Sequence, residues 1–185
     1  MSVNTTPTCP TGCIYVPPSN DFDFCKSNIH QGEIEILYIA GPSAQCFTSI
    51  TSLAEWNARL SETSVDPDTI RRFRVIGDMP AASSTEVPIS LGQFFYTDKD
   101  FLINIEVEDN SDLNYAFMRW MECQQLLKIW YQTAGGDLFG GICGIDVSVA
   151  ANYVIEKGQK SIHKQMWTLK WVSKFSPERV ISPLV

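Results

Sequence analysis

The sequence predicts an α+β fold that is mostly β, with one long helix and a long C-terminal hairpin. Three patterns support this prediction. Apolar and polar residues alternate over several short segments, which is typical of half-buried strands. Apolar residues recur at helical spacing over residues 111–131. Two long alternating segments, residues 145–153 and 165–172, flank a turn that contains glycine, so we expect them to pair as an antiparallel hairpin.

The first half of the chain contains short predicted elements. Residues 33–40 alternate and predict a strand that ends at Gly41-Pro42, and residues 46–50 are a candidate for a second, shorter strand. Residues 52–55 (SLAE) match a capping box, in which the Ser and Glu side chains satisfy first-turn amides, so a short helix is expected to begin there. Residues 71–76 alternate again and predict a further strand.

The middle of the chain contains a predicted loop and two predicted strands. Residues 77–89 are rich in Gly, Pro, Ala and Ser and predict a flexible loop, long enough to suggest a role in contacts. Residues 90–97 contain several apolar and aromatic residues, which predicts a strand. Residues 101–108 alternate most clearly, and we expect them to form a strand with one apolar face.

The long helix is predicted over residues 111–131, with Ser111 as its N-cap and Gly135-Gly136 following its end. Its predicted inner face is apolar and consists of Leu113, Ala116, Phe117, Trp120, Cys123, Leu127 and Trp130. Either this helix packs on one sheet, or its second apolar side is buried against a neighbouring subunit. Cys123 and Cys143 lie within apolar patterns and are interpreted as small core residues.

Length and composition predict a single domain with additional segments at each end. The chain has 185 residues, a size that can bury a substantial core. Residues 1–32 lack periodicity and are interpreted as an extended N-terminal arm. Residues 33–175 are expected to form the single domain, and residues 176–185 a C-terminal tail.

The charge of the chain is acidic and unevenly distributed. The net charge is −7, which argues against a broadly basic nucleic-acid-binding surface. Residues 151–185 have a balance of +4, so residues 1–150 have a balance of −11. This difference reflects either a solvated basic edge of the last strand or two unlike patches, which would suit head-to-tail contacts between identical subunits.

The cysteines and the N-terminus leave three alternatives open. The first residues have neither a basic nor an apolar signal region, so no signal peptide is predicted and free thiols are expected. No apolar run approaches the ~20 residues of a spanning helix, so no membrane association is expected. A zinc site or a disulfide is the alternative to free thiols. The candidate zinc ligands are Cys9, Cys13, Cys25 and His30, with Cys46 as a replacement for His30.

No sequence motif predicts catalysis. The chain contains no nucleophile-elbow, zinc-protease or phosphate-loop motif, and the GGDLFGG segment at residues 135–141 is interpreted as turn and bulge chemistry. Glu106 and Glu108 share a strand face, which allows a carboxylate pair, but a solvated face is the preferred interpretation. We therefore expect that the protein is not an enzyme and that it has no cofactor other than the candidate zinc.

In element order, the chain resembles the tail-tube-like structural proteins of tailed bacteriophages. The resemblance covers residues 33–175, and its main feature is the single helix at residues 111–131 among strands. The Pro-Glu-Arg tail at residues 177–179 also resembles structural proteins of phages that infect Bacteroidetes. The resemblance implies an antiparallel β-sandwich flanked by that helix. It also implies a virion protein, made in the host bacterial cytoplasm, that forms a tube, terminator or head–tail connector ring.

This resemblance implies that the partners are other virion proteins. The chain is expected to meet copies of itself in a ring of six or a multiple, and adjacent ring, tail or portal proteins, around a channel for DNA. The alternative is a soluble cellular binding module with an N-terminal zinc site. The lysines are expected to face either an acidic neighbour or DNA. The candidate contact residues are Asp78, Met79, Pro80, Val87, Lys157, Lys160, Lys164 and Lys170.

Overall fold

The computed structural model describes residues 32–90, 93–108, 111–124, 126–155, 157 and 163–184. These residues belong to one compact unit, Gln31–Val185. The predicted arm and the zinc candidates Cys9, Cys13, Cys25 and His30 lie outside the described residues. The elements, in chain order, are β1 (Ile34–Ala40), α1 (Leu53–Arg59), β2 (Ile70–Asp78), β3 (Glu86–Ser90), β4 (Gln93–Tyr96), β5 (Lys99–Val107), α2 (Asp112–Gln124), β6 (Leu126–Thr133), β7 (Asp137–Phe139), β8 (Ile145–Val154), β9 (Lys164–Ser173) and β10 (Arg179–Ile181).

Six antiparallel strands close into a barrel. The neighbours follow the order β1, β2, β5, β9, β8 and β6, and β6 pairs back with β1. Leu37 of β1 shows this closure, because it has Phe73 of β2 on one side and Tyr131 of β6 on the other. The fold is mostly β, as predicted, and the β8–β9 hairpin is confirmed. The β-sandwich is wrong, because β1 joins both edges of the sheet into a ring.

The barrel interior is filled by the apolar side chains that alternate along the strands. Ile103 and Ile105 of β5 are fully buried and face this interior together with Trp167 and Leu169 of β9. Phe73 packs edge-on against Trp167, with ring centroids 5.3 Å apart. A barrel of this strand number has room for side chains and not for an open channel.

A second, smaller core covers the outer face of β1 and β6. Tyr38 and Trp130 point away from the barrel interior and are nevertheless fully buried. They meet Trp56 of α1 and Phe47 of the preceding loop, with centroids 4.9 Å apart for Tyr38 and Trp56 and 5.5 Å apart for Phe47 and Trp130. Val180 of β10 also packs here, because β10 pairs with β7 and β7 pairs with β6.

The long helix is shorter than predicted, and its buried face is different. α2 ends at Gln124, and β6 begins at Leu126, so the predicted helical residues Leu127 and Trp130 lie in a strand. The helix start is confirmed, because Ser111 Oγ accepts a hydrogen bond from the Asn114 amide at 3.3 Å. This segment is almost continuously apolar, so its sequence does not separate a helix from a buried strand, and the backbone pairing of residues 128–133 with β1 determines its conformation.

The cysteine predictions are also corrected. Cys46 and Cys143 form a disulfide with a Cα–Cα distance of 4.1 Å, so Cys143 is not a free core thiol and the paired Cys46 is not available as a zinc ligand. Cys123, predicted to be in the core, is free and exposed. Residues 46–50 form a loop and not the candidate strand. The pairing requires two loops that are 97 residues apart in the sequence to meet, and neither local pattern contains that information.

The first helix begins as predicted, but the Glu55 side chain accepts hydrogen bonds from the preceding loop instead of from first-turn amides. Ser52 caps α1 by accepting a hydrogen bond from the Glu55 amide at 3.4 Å. Glu55 Oε2 accepts from the Thr48 amide at 2.9 Å, so its carboxylate holds the preceding loop. That loop carries Phe47 and Cys46, and the helix start therefore helps to position the second core and the disulfide.

Candidate functional site

The described residues contain no group of three or more His, Cys, Asp or Glu side chains arranged to hold a metal ion. Glu106, one of the two candidate acids, accepts a hydrogen bond from Lys164 Nζ at 3.1 Å. Glu108 is exposed and borders a depression that Glu33 and Glu35 also line. The two carboxylates therefore have different surroundings, and the geometry does not favour a shared reacting pair.

The structure instead contains two exposed apolar surfaces. The first, which we name the hairpin surface, is the β3–β4 hairpin, whose exposed apolar residues are Val87 of β3 and Phe95 and Tyr96 of β4, at 42%, 53% and 62% exposure. Val87 and Phe95 share one face of the hairpin, and Tyr96 lies on the other face, because successive residues of a strand point to opposite sides. Val87 is directly opposite Phe95 in an antiparallel pair that forms its own two-stranded sheet. β3 begins within the last four residues of the predicted flexible loop, and β4 lies within residues 90–97, which were predicted to form a strand.

Backbone hydrogen bonds attach this hairpin to the start of β5. Ser83 and Asp100 exchange two of them, at 3.1 and 2.7 Å. The Thr97 amide donates to the Thr85 carbonyl at 2.9 Å, and the Thr85 amide donates to the Thr97 side chain at the same distance. The base of the hairpin is therefore fixed to the barrel.

Several predicted contact residues lie near the hairpin base. Asp78 ends β2 and is exposed, and Pro80 lines a groove with a volume of about 460 Å³ beside Lys170 and Val172. The structure thus brings Pro80 and Lys170 together although they are far apart in sequence. Met79 is partly fixed, since its sulfur accepts a hydrogen bond from Tyr131 Oη at 3.5 Å.

The second surface, which we name the helix surface, is the outer side of α2. Leu113 and Trp120 share one flank of α2 and are 82% and 38% exposed, and Tyr115, 41% exposed, lies on the opposite flank. Met118 and Met121 are buried on the inner side between these flanks. The helix therefore presents most of the predicted inner face to solvent. The second alternative from the sequence was that another apolar side of this helix is buried against a neighbouring subunit. The structure agrees with that alternative only in that the helix has two apolar sides.

Trp120 lies at the edge of an aromatic row that continues into the barrel. Its ring is 5.1 Å from Phe117, and Phe117 is 4.7 Å from Phe73, measured between centroids. Trp120 and Phe117 also line a depression of about 520 Å³ together with Val65 and Pro67. The Trp120 indole packs on Phe117, and Phe117 packs on Phe73 of the barrel core. These contacts fix the position of the helix surface.

A second aromatic row connects the helix surface to the tip of the β8–β9 hairpin. Tyr115 and Tyr153 lie 5.3 Å apart, and Tyr153 and His163 lie 5.8 Å apart, measured between centroids. Lys157 is exposed at this tip, whereas Lys164 is partly buried against Glu106. Lys160 lies outside the described residues. The predicted lysines therefore do not form one patch, since Lys170 lies near the other end of β9.

The sequence interpretation missed the exposure of Leu113, Phe95 and Tyr96. It also missed the exposed arginines of β2. Arg72 and Arg74 lie on its outer side, and Arg74 forms an ion pair with Glu35 at 3.6 Å. The signal for these arginines was present in residues 71–74, where three arginines surround one buried phenylalanine.

Comparison of the chain with protein-family models, curated proteins and solved structures gave no match. Within the part of the chain that the structure describes, no helix has the length and apolar character needed to span a membrane.

Proposed function

We propose that this protein is a structural subunit of a bacteriophage tail or head–tail connector, which assembles with copies of itself into a ring or tube segment through which DNA passes. The observation that best supports this proposal is the presence of two exposed apolar surfaces on one small barrel. Grouped exposed apolar side chains, here Val87 with Phe95 on one hairpin face and Leu113 with Trp120 on one flank of α2, are typical of interaction sites. The element order, which resembles tail-tube-like proteins, is the reason for placing the assembly in a virion.

Barrel closure restricts how such subunits associate. The six barrel strands have neighbours on both sides, so they do not offer free edges for strand addition. The elements that project from the barrel, namely the β3–β4 hairpin, α2 and the β8–β9 tip, remain available for contacts. Because side chains fill the barrel, the proposed DNA channel is enclosed by several subunits.

The proposal is tested by measuring the oligomeric state. The purified chain, at tens to hundreds of micromolar, is examined by native mass spectrometry and by negative-stain electron microscopy. We expect closed rings or stacked rings with six subunits or a multiple of six. A strictly monomeric chain at the highest concentration, with no rings in the images, would contradict the proposal.

A further inference from the structure

We propose that Cys46 and Cys143 form a thiol–disulfide exchange site in the folded protein, at which small thiols and small disulfides react through the sulfur of Cys46. The barrel is expected to fold with both thiols reduced and to gain the bond afterwards. This inference goes beyond the proposed function and does not rest on it, because it concerns the chemistry within a single chain.

The two cysteines differ in their exposure to solvent. Cys46 is exposed and follows Gln45, which is also exposed. Cys143 is half-buried and precedes Gly144, where an added Cβ would lie 2.8 Å from the Trp130 ring. The rate of thiol–disulfide exchange depends on access to the sulfur that is attacked. A small molecule in solution is therefore expected to react at Cys46 and not at Cys143.

The barrel core does not depend on the bond. The disulfide joins the loop at residues 41–52 to the loop at residues 140–144, and none of the described residues of the barrel core lies in either loop. Ala44, Phe47 and Ile50 of the first loop belong to the second core instead. Opening the bond is therefore expected to loosen the second core while the barrel stays folded.

Hydrogen bonds that do not involve sulfur keep the loop of Cys46 in place. The Phe47 amide donates to the Ile142 carbonyl of the other loop at 2.7 Å. The Arg59 guanidinium donates to the carbonyls of Gln45 and Cys46, at 2.6 and 3.0 Å. These contacts are available to the reduced protein as well, so the two loops are expected to stay together when the bond is open.

The loop of Cys143 is held in the same way from the barrel side. Trp130 Nε1 donates to the Gly141 carbonyl at 2.8 Å, and Lys128 Nζ donates to the Cys143 carbonyl at 3.3 Å. Lys128 also forms an ion pair with Asp146 at 3.7 Å, so its charge is already compensated. Access to solvent, and not a neighbouring charge, therefore distinguishes the two sulfurs.

The arrangement favours formation of the bond after folding. In the unfolded chain the two cysteines are 97 residues apart, and closing a long loop has a large entropic cost. In the folded protein the loops are already adjacent, so the second thiol reacts at a high effective concentration. The bond is therefore expected to follow folding and to lock the second core.

Closure by oxidised glutathione proceeds in two balanced steps. The Cys46 thiolate attacks one sulfur of the glutathione disulfide, which forms a mixed disulfide at Cys46 and releases one glutathione thiolate. The Cys143 thiolate then attacks the Cys46 sulfur, which forms the protein disulfide and releases the second glutathione. The two protein thiols lose two electrons and two protons, and the two glutathione molecules gain them. Opening by excess reduced glutathione is the reverse sequence.

Trapping the mixed disulfide tests which sulfur reacts. In the parent protein for this test, serine replaces the cysteines outside the pair, namely Cys9, Cys13, Cys25 and Cys123. Two matched variants each retain one thiol of the pair: Cys143→Ser retains Cys46, and Cys46→Ser retains Cys143. The reduced proteins are incubated with oxidised glutathione, and the adducts are measured by intact-protein and peptide mass spectrometry.

We expect the adduct at Cys46 to form roughly tenfold faster, or more, than the adduct at Cys143. The parent protein is expected to form the Cys46–Cys143 disulfide and to release two glutathione molecules per chain without accumulating an adduct. Both variants lack the bond, so equal unfolding midpoints show that they are equally folded. Equal rates in the two variants, or a faster reaction at Cys143, would overturn the inference.

The effect of guanidinium on the rate of reduction tests whether the bond opens in the folded protein. The oxidised parent protein is treated with reduced glutathione at guanidinium concentrations below the unfolding transition. Attack at Cys46 predicts a rate that is proportional to the thiol concentration and changes by less than about twofold over this range, whereas opening through global unfolding predicts a steep rise. A steep rise, or a reduced parent protein without the circular dichroism of a folded barrel, would overturn the inference. Neither measurement uses the oligomeric state, so the inference and the proposed function fail independently.

Discussion

The Cys46–Cys143 disulfide leads to the sharpest stability prediction. The perturbation is the double substitution Cys46→Ala and Cys143→Ala. The bond closes a loop with a sequence separation of 97 residues, and removing such a loop constraint from the unfolded chain costs about 4 to 5 kcal/mol in the chain-entropy model. Since domains are typically stable by about 5 to 15 kcal/mol, the loss is a large fraction of the total.

The native contacts around the disulfide remain in this variant because they use backbone atoms. The Phe47 amide donates to the Ile142 carbonyl at 2.7 Å, and an Arg59 guanidinium nitrogen donates to the Cys46 carbonyl at 3.0 Å. The Cys143 carbonyl accepts from Lys128 Nζ at 3.3 Å. Replacing both cysteines therefore removes chiefly the covalent constraint, which makes the loop-entropy estimate applicable.

The assay is guanidinium unfolding of the wild type and the double variant, followed by tryptophan fluorescence, with and without a thiol reductant. We expect the oxidised wild type to be more stable than the variant by about 4 to 5 kcal/mol, or by roughly 10 to 20 °C in thermal unfolding. Reductant is expected to lower the stability of the wild type alone. Equal stability of the two oxidised proteins, with the disulfide verified by peptide mass spectrometry, would refute the reasoning.

Three further substitutions test the second core and the end of β6. Gly144 has a φ of +75°, and an added Cβ would lie 2.8 Å from the Trp130 ring, so Gly144→Ala is expected to cost about 2 kcal/mol in chemical unfolding. Gly41→Ala, where the added Cβ meets no atom of the described part of the chain within 4 Å, serves as the neutral control. Burial raises the pKa of Tyr38 to about 12, so wild-type stability falls as the pH rises from about 10 to about 12. Tyr38→Phe is expected to cost about 1 kcal/mol at pH 7 and to become the more stable protein above pH ~11 in pH-dependent unfolding; a constant difference between the two would contradict this. None of the residues that the structure describes forms a hydrogen bond with the buried Thr133 hydroxyl, so Thr133→Val is expected to leave thermal stability unchanged or raise it by about 1 kcal/mol, and a clear loss would contradict this account.

Local patterns predicted much of the secondary structure. The alternation of β5, β8 and β9 placed these strands correctly, because a period of two along a half-buried strand is a local property. The N-caps Ser52 and Ser111 were also found, since each cap acts on an amide three residues away. Each of these correct predictions depends on residues that lie close together in the sequence.

Long-range pairing explains what could not be predicted. The closure of the barrel depends on β1 meeting β6 about ninety residues later, and the same alternation would suit a sandwich. The end of α2 was missed because residues 126–133 are buried almost throughout, so they show no strand alternation. The helix surface was assigned to the core because an apolar stripe has the same spacing whether or not anything covers it.

The two cores stabilise different parts of the chain. The disulfide, Trp56 and Trp130 belong to the second core, on the outer face of β1 and β6. Met118 of α2 belongs to the barrel core, and Ala82 near the hairpin base packs against that core. Reduction of the disulfide should therefore loosen the second core while both proposed contact surfaces keep their support. Below the unfolding temperature of the reduced protein, we expect ring formation measured by native mass spectrometry to be unchanged by reductant. Loss of rings while the barrel stays folded would show that the second core also contributes to the subunit contact.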